Sequence, residues 1–306
     1  MNIKAAILLS TFNGADFLAE QLDSLLRQNC QDFIIVVRDD GSTDGTQEII
    51  ESYRKHHPEQ IHCLHNQEQR LGACQSFATL LAHVVSDKSA FGLVENCYYA
   101  FCDQDDVWHV NKLALTLAQM QAGESGAIPC LVHSDLKVVD QSLQQIAPSL
   151  VRYQGLQPSQ GNFGRALVAN SVTGCTLMIN EPLARMATPI PTQAVMHDWW
   201  LALVAAAFGS SLFLDQATME YRQHQDNKYG AIALDQTANM GSKVKRLFDN
   251  SSWEQFASVA SQSGAFLHRY SESLSVRQKI LCRLTMQLSI GSAPFQKLLY
   301  RLLRRL

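Results

Sequence analysis

The 306-residue chain has no CxxC pair, no G-x-G-x-x-G turn after its first apolar run, and no apolar stretch near the ~18 residues of a membrane span. The missing CxxC pairs argue against a zinc site. The eight cysteines (Cys30, Cys63, Cys74, Cys97, Cys102, Cys130, Cys175, Cys282) are too scattered for a disulfide frame. Buried, reduced thiols in a cytoplasmic protein are the expectation. The absent glycine-rich turn disfavours a dinucleotide-dependent oxidoreductase. The opening MNIKAAILLSTFNG has too short an apolar run for a secretory signal and no small-residue cleavage site. Charge is scarce too: 17% of residues are charged and 46% hydrophobic, which predicts a well-buried core and excludes global disorder. At ~100–200 residues per domain, this length holds one large α/β domain and a smaller appendage.

What charge there is lies unevenly. Residues 1–240 carry 14 Lys/Arg against 25 Asp/Glu, whereas residues 241–306 carry 11 against three, so an acidic body precedes a basic tail. A negatively charged surface is the natural partner for such a tail.

The first hundred residues alternate strand-like and helix-like runs. AAILLS (5–10), FIIVV (33–37), IHCL (61–64) and YYAFC (98–102) are short apolar runs suited to buried strands. Between them, Phe17, Leu18, Leu22, Leu25 and Leu26 mark one helix face, Ile49, Ile50 and Tyr53 another, and residues 73–85 a third. This alternation predicts a mostly parallel sheet flanked by helices. Further strands are expected at 130–135, 174–179 and 211–215, and HDWWLALVAAAFG (197–209) reads as a buried helix beginning at Asp198. Beyond residue 240 the pattern is helical only, from Phe248, Trp253 and Phe256 to FQKLLYRLLRRL.

Ligands of parallel α/β sheets bind beyond the carboxyl ends of the strands. Three polar clusters sit there: STFNG (10–14), DDGS (39–42) and DQDD (103–106). Asp40 either accepts hydrogen bonds from a base or ribose, being acceptor-only when ionised, or belongs to a solvated turn. Asp103 and Asp105, two apart on an extended segment, would point the same way and offer hard oxygen ligands to Mg²⁺ or Mn²⁺. Asp198 is either a helix N-cap or a general base whose apolar surroundings raise its pKa. His224 can ligate a metal and Arg222 can clamp a phosphate, or both are ordinary loop residues.

Taken together, LLSTFNGADFLAEQLDSLLRQ, VVRDDGSTDGT, RLGACQSF, FCDQDDVW, LVHSDLKVVD, NSVTGCTLMIN, MHDWWLALVAAAFG and YRQHQDN resemble the family 2 glycosyltransferases of the GT-A fold. They are most similar to the rhamnosyltransferase-like branch of bacteria. The resemblance covers roughly residues 4–230 and implies an inverting transferase dependent on a nucleotide sugar and on Mn²⁺ or Mg²⁺. It implies that Thr11, Asn13, Asp40, Arg70, Asp103 and Arg222 contact the donor, a dTDP- or UDP-sugar with rhamnose foremost. Asp105, His224 and Asp103 would form the metal site and Asp198 would be the base. Asn170, Thr173, Gly174 and Trp199 would line the acceptor side, with a cell-surface polysaccharide or lipid-linked oligosaccharide as acceptor. No nucleic acid is implied as a partner. The RLGACQSF loop departs from many relatives in carrying Cys74 and Gln75, and nothing is transferred to those two positions.

On this reading residues 1–235 are a catalytic GT-A domain and residues 236–306 a helical, basic extension. The end of that extension interleaves Lys297, Arg301, Arg304 and Arg305 with leucines. Such an amphipathic helix either rests on the inner face of the cell membrane or packs against the body. Two other classes fit less well. A sugar nucleotidyltransferase would want a glycine-rich, basic phosphate loop near the N-terminus, and a non-catalytic sugar-binding protein would have no need of Asp105, Asp198 and His224 together.

Overall fold

A computed structural model of the chain describes residues 3–64, 70–158, 161–224, 251–290 and 293–305. One nine-stranded sheet organises it. The strands are β1 (Ile3–Thr11), β2 (Phe33–Asp39), β3 (Ile61–Cys63), β4 (Leu93–Cys102), β5 (Val107–Trp108), β6 (Cys130–Val139), β7 (Gln145–Ala147), β8 (Met178–Asn180) and β9 (Ser210–Arg222). Their order is β3-β2-β1-β4-β8-β6-β9-β5, with β7 paired to β6.

β3, β2, β1 and β4 are mutually parallel, as their uninterrupted apolar runs require. Parallel pairing returns in the other half between β6 and β9, with antiparallel strands inserted around them. β8 enters antiparallel between β4 and β6, and β5 lies antiparallel on β9. The expected strand over 174–179 shortens to β8, because residues 174–176 form a single 3₁₀ turn. β9 overshoots its expected end at 215. It runs parallel to β6 from Cys130↔Ser210 to Val139↔Arg222, using 13 residues against 10, the surplus taken up in two register shifts.

Alternation along the parallel strands sends side chains to two apolar layers. Ala5, Ile7 and Leu9 meet α1 (Leu18–Leu26), α2 (Thr46–His56) and α4 (Lys112–Gly123). Ala6 and Leu8 meet the opposite layer, made by α3 (Ala73–Ser86), α6 (Phe163–Val168), α7 (Glu181–Ala187) and α8 (His197–Phe208). A short α5 (Leu150–Gln154) packs on β6.

The C-terminal helices α9 (Ser251–Tyr270), α10 (Val276–Met286) and α11 (Ala293–Leu303) join that second layer. Phe266 is fully buried between Trp200 at 5.5 Å and Phe163 at 5.7 Å, centroid to centroid. The helical extension therefore shares one continuous core with the α/β body. The boundary expected at 235/236, and Phe248, lie outside the described residues. Among the described residues, no helix is long and apolar enough to cross a membrane.

Candidate active site

β1, β2 and β4 run parallel and end at Thr11, Asp39 and Cys102, so the three polar clusters meet at one edge of the sheet. They are bolted together by side chains. The Gln104 amide grips the Phe12 backbone at both ends, accepting from its N–H at 2.7 Å and donating to its carbonyl at 2.9 Å. Gly14 makes room for this grip: a Cβ there would lie 2.3 Å from Gln104 Oε1. Asn13, in the left-handed region with φ 46°, accepts from the Thr43 N–H, while its own N–H donates to Ser42 Oγ. Thr11, 1% exposed, donates to Asp39 Oδ1 at 2.9 Å. Arg70 is exposed and stacks over Phe12 at 3.7 Å. Gln104 and Asp39 lie in the DQDD and DDGS clusters, but the part they play in joining loops distant in the chain shows only in the fold.

Asp40 turns inward instead of toward a base. Its carboxylate meets the buried Arg38 guanidinium at 2.6 Å and accepts the N–H groups of Leu71 and Gly72 at 2.8 and 2.7 Å. The pair is almost wholly dehydrated, so the carboxylate is spent on a structural ion pair. Asp40→Ala should therefore cost about 3–5 kcal/mol of stability by stranding Arg38. Denaturant unfolding is the measurement; an unchanged midpoint with weakened donor affinity would restore Asp40 to the base.

The DQDD segment is a bend between β4 and β5, not an extended stretch, because Gln104 is held by Phe12. The bend separates the carboxylates that an extended strand would have aligned. Asp105 Oδ2 meets His224 Nε2 at 2.7 Å. Ligand atoms of Asp103, Asp106 and Cys175 lie within 4.8 Å of one another. Burial first, then the Asp105 and Asp198 charges, push the Asp103 carboxyl up to about 7. Burial also holds Asp106 well above the ordinary carboxyl range, and its Oδ2 has no hydrogen-bond partner. Cys175 is equally buried and its thiol is pushed well up, so it stays protonated. Cys175 had no signal in the sequence, since nothing about GCT predicts a neighbour seventy residues away.

Arg222 is corrected in the same way as Asp40. Its guanidinium is 3% exposed and donates to the Asp105 carbonyl, the Gln141 carbonyl and Glu20, while its N–H reaches Asp106 Oδ1 at 3.1 Å. These bonds occupy the fork that would have clamped a phosphate, and make Arg222 a brace that holds the DQDD bend against β9. His224, two residues on, packs its ring 4.9 Å from Phe17.

Asp198 stands in the first turn of α8, 8% exposed. Burial raises its carboxyl to about 7, against hydrogen bonds from the Trp199 N–H, the Asn170 side chain and the Gly174 backbone. Asn170 is itself fixed by both backbone groups of Val172. Gly174 approaches closely, since a Cβ there would lie 3.0 Å from His197 Nε2 and 3.6 Å from Asp198 Oδ2. Thr173 orders the same turn, its carbonyl accepting from Thr176 N–H and Oγ1. The expected place of Trp199 on the acceptor side does not hold. Its indole is buried, with Nε1 donating to the Ala166 carbonyl at 2.6 Å, because it anchors α8 on α6.

The donor set suits a hard divalent cation. Asp105 and His224 meet at 2.7 Å, and the partly exposed Asp103 groups with Asp106, which carries an orphaned buried oxygen. A protonated thiol does not compete for such an ion.

The sequence profile described as Glycosyl transferase family 2 matches residues 6–186. The dTDP-rhamnosyl transferase RfbG of Shigella flexneri is 29% identical over 248 residues, 78% of each chain. TuaG of Bacillus subtilis (strain 168), a glycosyltransferase named for teichuronic acid biosynthesis, is 26% identical over 71% of this chain and 78% of its own. Among solved structures, S. aureus TarS 1–349 in complex with UDP-GlcNAc superposes with a TM-score of 0.56 at 15% identity, covering 99% of this chain and 90% of that one. The mannosyltransferase PcManGT from Pyrobaculum calidifontis, in complex with GDP-Man and Mn²⁺, gives 0.54 at 15% identity, covering 100% and 84%. These likenesses show the fold to be GT-A.

Proposed function

The chain belongs to glycosyl transferase family 2, and from that premise we propose that it is an inverting transferase moving a sugar from a nucleotide donor to a glycan or lipid-linked glycan acceptor in one displacement. The observation that carries this reading is a buried Asp198, its carboxyl raised to about 7, close enough for its charge to raise Asp103, in the same DQDD bend that holds the Asp105–His224 pair. A carboxyl titrating near neutral pH suits a base that must accept a proton during turnover.

In this mechanism Asp198 takes the proton of the acceptor hydroxyl as its oxygen bonds to the anomeric carbon. The bond from that carbon to the diphosphate oxygen breaks on the opposite face, and the diphosphate leaves with the electron pair. The anomeric centre inverts without a covalent enzyme intermediate. Asn170 and the Gly174 N–H hold the Asp198 carboxylate in place, and the Gln104 grip and Arg222 brace hold the DQDD bend. Asp105, His224 and Asp103 would hold Mn²⁺ or Mg²⁺, which supplies positive charge opposite the departing diphosphate. Thr11, Asn13 and Arg70 shape the mouth where the nucleotide would enter.

Rhamnose from a dTDP donor is the foremost choice, supported by the likeness to RfbG over most of both chains. A hexosyl or galactosyl donor of the same family is the second reading. Transfer and thermal-shift assays with dTDP-rhamnose, UDP-hexoses and GDP-mannose, each with and without Mn²⁺, separate them. Stabilisation and turnover with dTDP-rhamnose are expected; stabilisation by UDP-sugars alone would move the donor to the second reading. No response to any nucleotide sugar would defeat the proposal.

A further inference from the structure

The C-terminal helices turn an unusual face to solvent. Of the eleven large apolar side chains exposed among the described residues, six lie between positions 276 and 302: Val276, Ile280, Ile290, Phe295, Leu298 and Leu302. Val276 is 73% exposed and Leu298 69%. They fall at helical spacing. On α11, Gln296, Leu299 and Leu303 point into the body, while Phe295, Leu298 and Leu302 lie on the exposed side roughly a quarter-turn round the helix. On α10, Leu281, Cys282 and Thr285 are buried while Val276 and Ile280 are not.

The polar residues of this outer face carry a single sign of charge. Arg277 and Arg283 share the outer side of α10, Arg301 that of α11, and Arg305 the turn just past its end, all exposed. Residues 273–306 contain seven Lys/Arg and no Asp or Glu. A helix packed on its own domain normally presents a polar, mixed-charge face to water. Here the inward side is already packed, and the outward side repeats apolar and cationic residues one turn apart. An exposed apolar patch of this kind marks an interaction site.

We propose that α10 and α11 form a docking surface for an anionic lipid bilayer, lying flat with the leucines and Phe295 in the acyl boundary and the arginines at the headgroups. Charge complementarity selects this occupant. A second copy of the chain meeting the same face about a two-fold axis would set one run of cations against another. Lipid headgroups such as phosphatidylglycerol supply the missing negative charge, and the long arginine side chains reach them from beside the apolar row. Both helices pack on α6, whose chain continues into Asn170–Gly174 around Asp198. Docking would therefore tether the body that carries Asp198 to the bilayer surface. That last link rests on the catalytic reading; vesicle binding does not, and is measured without any sugar.

The test is co-sedimentation of the full chain with vesicles of phosphatidylglycerol and phosphatidylcholine in equal parts, against vesicles of phosphatidylcholine alone. Wild type should partition onto the anionic vesicles, not onto the zwitterionic ones, and added salt should release it. Leu298→Glu with Leu302→Glu should weaken partitioning about tenfold or more. Arg301→Gln with Arg305→Gln, which keeps the apolar row, should weaken it and flatten the salt dependence. If the glutamate pair disturbs the circular dichroism spectrum, the glutamine pair decides. Wild type left in the supernatant with anionic vesicles overturns the proposal, as does undiminished binding by the glutamine pair. A dimer in sedimentation equilibrium that Leu298→Glu dissociates also overturns it, assigning the face to a second copy.

Discussion

Asp198→Asn should lower turnover by about 10²- to 10⁴-fold while leaving the dissociation constant for the nucleotide sugar unchanged. Asparagine keeps the shape and one acceptor oxygen at the helix start but cannot accept the acceptor's proton. Wild-type turnover should rise as pH passes through about 7, where the buried carboxyl loses its proton, and that limb should vanish in the variant. Stability moves the other way. The unfolded carboxyl ionises near its ordinary value of 3.8, whereas the folded one is raised to about 7. A raised folded pKa means that the native state binds the proton more tightly, so stability falls between those values and stays reduced above 7. Asp198→Asn should therefore have a higher melting temperature than wild type at pH 8 and little advantage at pH 4. Calorimetry at both pH values, beside a pH–rate profile, checks both halves. A variant that turns over normally would remove Asp198 from the chemistry.

The second large effect is expected at Asp105. Asp105→Ala should reduce transfer by about 10²-fold or more and weaken Mn²⁺ binding measured without donor. Asp105 Oδ2 and His224 Nε2 are 2.7 Å apart, so the two act as a unit. His224→Ala should weaken the ion in the same direction, and the double variant should be little worse than Asp105→Ala alone. Spin-resonance titration with Mn²⁺ reads this directly. Wild-type Mn²⁺ affinity in Asp105→Ala would shift the ion toward Asp103 and Asp106 beside Cys175. A larger loss in the double variant, equal to the product of the single losses, would mean that the two side chains act separately.

Much of the first half of the sheet was legible in the sequence, because a parallel strand buried on both faces must be an unbroken apolar run. Ile7, Ile35 and Ala100 sit in such runs, and all three are buried in the central strands. The second half hid for the converse reason. β8 is three residues long, and Asp215 and Gln216 interrupt the apolar signal of β9 where it is exposed. The site divides in a similar way. Residue type and order point to carboxylates at 103, 105 and 198 and an imidazole at 224, but they do not say which way a side chain turns. Asp40, Arg222 and Trp199 all carry suitable groups for a ligand, and each turns them into the protein. Gln141 and Ala166 come from tertiary packing that no local spacing announces, and Arg38, only two residues from Asp40, faces it because both turn into the protein. Gln104 shows the opposite case: a polar side chain inside the motif, with no ligand role in its residue type, fixes the bend on which the acidic residues depend.

The surplus in β9 has a consequence for which changes of chain length this protein can accept. Three extra residues, an odd number, separate the start of its pairing with β6 from the end. Odd and even decide which face of a strand a side chain takes, so the surplus sets the parity of everything downstream. Arg222 reaches inward to Gln141 and Glu20 on that parity. Losing or gaining one residue near Asp215 would exchange inside for outside at the brace and carry His224 with it. Losing or gaining two would restore both. Chains descended from a common ancestor with this one should accordingly differ in length along this strand by pairs.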